Sequence, residues 1–259
     1  MQDELKIALI QSDLVWENPE QNIQNFTKKI ESISNKVDVI VLPEMFTSGF
    51  TMNASVVAET LYGDSVNWMK AIAKKTNSAI VGSLVIREGE HYFNRLLFVE
   101  ASGYISNYDK RHTFTLAGED KIYKAGTEKV IINYKGWKIC PLICYDLRFP
   151  VWARNVADYD VLLYVANWPK TRISAWDTLL KARAIENMCY CIGVNRVGKD
   201  GVNYEYSGNS AAIDVLGNEI TSIKPNKEQI EIVTLEKRHV DVYRNKLKFL
   251  DDRDNFTII

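Results

Sequence analysis

The stretch KICPLICYDLRFP, residues 138–150, decides how the rest of the chain is read. An apolar run that reads as a buried strand ends at Cys144, and a charged turn with Asp146 and Arg148 follows. A thiol at the end of a strand differs from a thiol inside one. The second is a small hydrophobe, whereas the first can be presented to a ligand. In open α/β folds the carboxyl ends of strands are where ligands bind.

Outward from this stretch, strand and helix patterns alternate. LKIALIQ (5–11) reads as a strand, and NPEQNIQNFTKKIESISN (18–35) as a helix with Ile23, Phe26, Ile30 and Ile33 on one face. Asn18-Pro19-Glu20 suits its cap and first turn. VDVIVLP (37–43) is a continuous apolar strand of the kind covered on both faces. A helix over 64–77 and a strand over 78–86 come next. Residues 91–100 and 103–110 form a hairpin pair, and two strands flank Lys135-Gly136. The pattern then predicts a short helix over 148–158, a strand over 159–167 and a helix over 173–188. Strands follow at 189–198, 210–217 and 229–235, with a closing helix over 236–247. Interleaved strands and helices imply an α/β layered domain, and the surplus of strand suggests two packed sheets with helices outside. With no linker-like tract or repeat, residues 1–259 are expected to form one domain.

Composition narrows the function classes. The chain is 46% hydrophobic and 25% charged with net charge −1, so neither disorder nor electrostatic attraction to nucleic acid or an anionic membrane is expected. The opening MQDELKIALIQSDLVW lacks a basic leader region, and no run reaches the ~18 apolar residues of a membrane span. A cytoplasmic location is therefore expected, with Cys140, Cys144, Cys189 and Cys191 as reduced thiols. A Cys₄ metal site is disfavoured, because CxxxC and CxC in strand geometry chelate poorly. No metal or cofactor is expected.

Two further strand ends carry chemistry. Glu44 follows an apolar strand and Pro43 in VIVLPEMFTSGF (39–50). A single charge there is ordinarily solvent-facing, but a partly buried carboxylate could act as a general base. Lys110 closes a strand in YISNYDKRHTF (104–114). The cluster can be a solvated charge run, or Lys110 can stabilise developing negative charge beside a reacting centre. A Cys–His dyad through His112 is the other nucleophile scheme, with little to recommend it among three histidines.

Taken together, LPEMF with Glu44, YDKRHTF with Lys110 and LICYDLRFP with Cys144 resemble the nitrilase (carbon–nitrogen hydrolase) superfamily. The resemblance implies a four-layer αββα sandwich and a Glu–Lys–Cys catalytic set. It also implies a second glutamate, Glu119 in FTLAGEDKIYKAG (114–126), positioning Lys110 and the substrate. YVANWP (164–169) places Asn167 and Trp168 at the pocket, and KARAIEN (181–187) carries Arg183, Glu186 and Asn187 in structural roles. PEMFTSGF and CYDLRFP look most like the bacterial omega-amidases, which cleave the terminal amide of 2-oxoglutaramate and 2-oxosuccinamate. Arg148 is the candidate for gripping a substrate carboxylate or, equally, for a structural salt bridge. Phe46, Tyr145 and Trp168 are candidate apolar walls. The alternatives are another amide, carbamoyl or nitrile hydrolase of the superfamily, or a non-catalytic thiol or metal-binding protein. The family also implies a homodimer or larger homo-oligomer, with the helices at 148–158 and 173–188 as contacts.

Overall fold

The computed structural model describes residues 2–258. In chain order its strands and helices begin with β1 (Glu4–Gln11), α1 (Pro19–Glu31), β2 (Val39–Val41), α2 (Ala54–Val57), α3 (Asp64–Thr76) and β3 (Ala79–Glu88). They continue with β4 (His91–Val99), β5 (Ile105–Asp109), β6 (Ile132–Tyr134), β7 (Trp137–Ile143), α4 (Pro150–Ala153) and β8 (Val161–Ala166). The last are α5 (Ile173–Asn187), β9 (Tyr190–Asn195), β10 (Val197–Lys199), β11 (Glu205–Ser207), β12 (Ala211–Ile213), β13 (Gln229–Glu236) and α6 (Lys237–Leu247).

The strands form two larger sheets built alike. The first has the order β13-β1-β2-β3-β4-β5 and the second β12-β9-β8-β7-β6. In each, three central strands run parallel: β1-β2-β3 in one, β7-β8-β9 in the other. Antiparallel strands flank them. Alternation along β1 separates the layers. Leu5, Ile7 and Leu9 face the core shared with the second sheet, while Ala8 and Ile10 face α1 and α3. On that outer face Phe26 and Ile30 of α1 pack with Val66, Met69, Ile72 and Ala73 of α3. On the other side α5 lays Trp176, Leu180 and Ala184 against the second sheet. It comes so close that a Cβ at Gly193 would meet Leu180 and Trp176 at 2.7 Å. The order helix, sheet, sheet, helix is the four-layer αββα sandwich expected from the sequence. Asn18 caps α1 by accepting from the Gln21 N–H at 3.0 Å.

Several elements are shorter than their patterns predict: the strand expected over 210–217 is β12 alone (Ala211–Ile213), that over 37–43 is β2 (Val39–Val41), and one helix loses most. The helix expected over 148–158 is a single turn, α4, preceded by a 3-10 turn over Cys144–Arg148. The chain leaves the helix because Asn155 captures the backbone. Its side chain donates to the Tyr159 and Asn187 carbonyls and accepts from the Tyr159 N–H. Strands β10 and β11 form a small hairpin that the sequence reading did not resolve. Among the described residues no helix is long and apolar enough to cross a membrane.

Candidate active site

Parallel strands of the two sheets end at one place, and the polar residues just past those ends converge there. Glu44 follows β2 in a turn that passes through Met45 at φ +43°. Ser83 of β3 pins the turn, accepting from the Met45 N–H at 2.8 Å and, through its carbonyl, from the Phe46 N–H at 3.2 Å. The Glu44 carboxylate is fully buried and carries three donors. Oε1 accepts from Asn94 Nδ2 (2.7 Å) and Lys110 Nζ (2.9 Å), and Oε2 accepts from the backbone N–H of Asn167 (2.8 Å).

Lys110 follows β5, and the loop beyond it folds back over its own base. The Gly126 N–H donates to the Lys110 carbonyl at 2.9 Å, and a Cβ at Gly126 would lie 2.2 Å from the Asp109 oxygen. This loop brings Glu119 to the ammonium, with Nζ at 3.0 and 2.9 Å from its two oxygens. Burial works against the charge on Lys110. The carboxylates of Glu119 and Glu44 outweigh it and hold the pKa above its ordinary value, so the group remains an ammonium. Burial raises the Glu119 pKa despite its lysine partner, with a contribution from the nearby Glu44 charge.

Cys144 opens the 3-10 turn after β7 with φ +43°, a conformation a non-glycine residue adopts only when its surroundings enforce it. Asp146 supplies much of that enforcement. Its buried carboxylate accepts from the Ile143 N–H (3.0 Å), the Tyr108 hydroxyl (2.8 Å) and the His112 N–H (3.0 Å), and it faces His112 Nδ1 at 2.8 Å. Arg183 of α5 ties the far end of the turn by donating to the Leu147 carbonyl at 2.6 Å. His112, considered as a partner for the thiol, is engaged with Asp146 instead.

The thiol is not held as a thiolate. Burial pushes the Cys144 pKa well above 9.0, the adjacent Glu44 carboxylate adds to the rise, and Lys110 only partly opposes it. The four-residue α4 is also too short for its dipole to favour a thiolate at Cys144. Cys140, Cys189 and Cys191 are buried free thiols, with Cys140 pushed up to about 12 by burial.

A cavity of about 650 Å³ opens above this floor. Lys110, Cys144, Tyr145, Arg148, Asn167 and Trp168 all line it. Phe46 does not, which corrects the sequence reading. The left-handed Met45 turns Phe46 into the core between the first sheet and its helices, edge-on to Phe26 at 5.5 Å. Phe50 is the wall from that segment, with Lys110 Nζ 5.0 Å from its ring centre.

Several participants escaped the sequence reading. Asn94 donates to both Glu44 and Glu119 (3.2 Å), and a polar Asn94-Arg95 pair inside the otherwise apolar β4 was the available signal. Its amide orientation is fixed, since the opposite one would aim an oxygen at two carboxylates. Phe114, Arg172 and the β10–β11 region with Asp200 and Tyr206 also line the cavity, and nothing in their local pattern marks them.

Known proteins share this architecture. Residues 6–245 match the family model described as carbon-nitrogen hydrolase. The omega-amidase YafV of Escherichia coli (strain K12) is 45% identical over 254 residues, covering 98% of each chain. The 2-oxoglutaramate amidase of Bacillus subtilis (strain 168) is 36% identical over 216 residues, covering 82% of this chain and 83% of that protein. A solved CN-hydrolase superfamily protein from Xanthomonas campestris, with an arsenic adduct in its active site, superimposes with a TM-score of 0.97. It is 40% identical and covers 99% of this chain and 100% of that one. The chain belongs to the carbon–nitrogen hydrolase family, in the omega-amidase branch of the nitrilase superfamily.

Proposed function

We propose that the protein cleaves the terminal amide of small carboxylate-bearing amides such as 2-oxoglutaramate or 2-oxosuccinamate, giving the acid and ammonia through a thioester on Cys144. The observation that carries this reading is the buried Lys110 ammonium, 2.9 Å from Glu44 and 2.9 Å from Glu119, lining the same cavity as a strained cysteine. The names of the Escherichia coli and Bacillus subtilis relatives support the choice of substrate.

Because the thiol is protonated at rest, attack requires a base at the moment of bond formation. Glu44 takes the thiol proton as Cys144 Sγ bonds to the amide carbon. Lys110 Nζ and the backbone N–H of Tyr145 receive the developing oxyanion. The C–N bond then breaks, Glu44 returns the proton to the leaving nitrogen, and ammonia departs. Water enters, gives a proton to Glu44 and attacks the thioester, and the acid leaves as the thiol is restored. Glu119 holds Lys110 in place and charged. Asn167 acts through Glu44, whose carboxylate its backbone N–H orients. Tyr145 and Trp168 form apolar walls, and Arg148, its guanidinium 4.9 Å over the Trp168 ring, grips the remote carboxylate.

The test is ammonia release from purified protein given 2-oxoglutaramate, 2-oxosuccinamate, a neutral aliphatic amide, a carbamoyl compound and a nitrile. The oxo-acid amides should be turned over fastest. Faster release from the carbamoyl compound or the nitrile would replace this reading with another of the family's reactions. In the same proposal residues 1–259 act as one domain in a cytoplasmic homo-oligomer. Four free thiols support the location, and exposed Val151 on α4 and Ile185 on α5 support the contact. Light scattering in solution tests the assembly.

A further inference from the structure

Five charged side chains line the cavity: Glu17, Lys110, Arg148, Arg172 and Asp200. Three of them are already matched. Lys110 sits between Glu44 and Glu119. Glu17 accepts from the Thr51 hydroxyl and from Asn53 Nδ2. Asp200 accepts from the Val202 N–H (3.0 Å), the Tyr204 N–H (2.9 Å) and the Tyr206 hydroxyl (2.7 Å). The two arginines differ. Arg148 lies over Trp168 at 4.9 Å and Arg172 over Phe114 at 5.1 Å. Among the described residues neither guanidinium has a carboxylate partner.

One side chain organises both arginines. The Trp168 ring lies beneath the Arg148 guanidinium, and its indole N–H donates to the Arg172 carbonyl at 2.8 Å. Arg172 closes the 3-10 turn Lys170–Arg172 that leads into α5, so its backbone is held at both ends. Stacking on aromatic faces fixes each guanidinium while leaving its N–H fork open. Electrostatics gives the pair a task. At the floor the Lys110 ammonium is already engaged by Glu44 and Glu119. Among the described residues no cation there is free to pair with a substrate carboxylate, so its binding must be supplied elsewhere in the cavity.

We infer that Arg172 completes, with Arg148, a two-guanidinium subsite that grips the 2-oxo-carboxylate end of the substrate and disfavours a 2-ammonium group. The inference rests on the function proposed above and extends it to substrate class. A guanidinium has donors and no acceptor. A 2-oxo acid offers both carboxylate oxygens and the oxo oxygen, all acceptors, to two forks. The corresponding amino acid replaces the oxo oxygen with three donors and a positive charge, which a second arginine repels. Selectivity for oxo over amino acid amides therefore arises from an unfavourable contact as much as from a favourable one.

The experiment compares wild type, Arg172→Gln and Arg172→Lys by kcat/KM on 2-oxoglutaramate, L-glutamine and butyramide. Arg172→Gln should lower the 2-oxoglutaramate to butyramide ratio by about tenfold or more, narrow the 2-oxoglutaramate to glutamine preference, and leave Arg172→Lys between the two. A second readout needs no turnover: protection of Cys144 from iodoacetamide by 2-oxoglutarate. Arg172→Gln should raise the half-protecting concentration about tenfold. If the selectivity ratios or the protection are unchanged, the subsite assignment is overturned. A wild type that hydrolyses butyramide but not 2-oxoglutaramate would sink the proposed function, while the protection assay would still decide the role of Arg172.

Discussion

The floor of the cavity and its mouth solve opposite problems. At the floor every charge has its partners inside the protein: Glu44 takes three donors, Lys110 two carboxylates, and Asp146 a group of donors behind the nucleophile. At the mouth Arg148 and Arg172 rest on aromatic rings with their N–H groups free of carboxylates among the described residues. Groups that must not move are saturated, and groups that must exchange water for a ligand are stacked but unsaturated. Damage at the floor should therefore reduce the reaction on every substrate, whereas damage at the mouth should change which substrate is preferred.

The sharpest way to break this comparison is at the base. Glu44→Gln should lower kcat by about 10³-fold or more on any amide the enzyme accepts, since the proton then has no acceptor, and Cys144→Ala should remove thioester formation entirely. A Glu44→Gln enzyme within tenfold of wild type by ammonia release would mean that another group takes the proton. Next comes the scaffold of the floor. Asn94→Ala removes a buried donor shared by two carboxylates and should lower kcat by about 10- to 100-fold, by a similar factor on charged and neutral amides. A loss confined to carboxylate-bearing amides would place Asn94 at the mouth functionally. At the mouth, Arg148→Gln should raise KM for an oxo-acid amide by about tenfold more than for a neutral one, with kcat less affected.

The smallest effect concerns acidity. A thiol with a pKa well above 9.0 gains thiolate tenfold per unit as pH rises. Alkylation of Cys144 by iodoacetamide should therefore climb without a plateau between about pH 7 and about pH 9. A plateau already reached near about pH 7 would reveal a preformed thiolate–ammonium pair and contradict the resting state assigned to the floor.

The sequence showed the layers and three chemical strand ends for a common reason. Period-two alternation and continuous apolar runs report burial directly, and a reactive residue where such a run stops is conspicuous. Glu44, Lys110 and Cys144 all have that form. Asn94 and Asp146 do not: a polar pair inside β4 is all that marks Asn94, and apart from the Ile143 N–H beside Asp146 the partners that give both residues their roles lie 25 to 50 positions away. Phe46 misled for a geometric reason. A single left-handed residue before it cancels the alternation that would have aimed it at the pocket, and Phe50 lines the cavity instead. The helix over 148–158 failed because propensity says nothing about Asn155 capturing carbonyls from two separate segments.

Met45 and Cys144 share the same left-handed backbone, φ +43° at each, one beyond β2 and the other beyond β7. A glycine at either point would relax about 1 kcal/mol of steric conflict. At 144 it would also delete the sulfur. Thermal robustness and reactivity thus pull against each other at a single peptide unit. An effort to harden this enzyme by relieving its left-handed backbone positions would disarm it at Cys144.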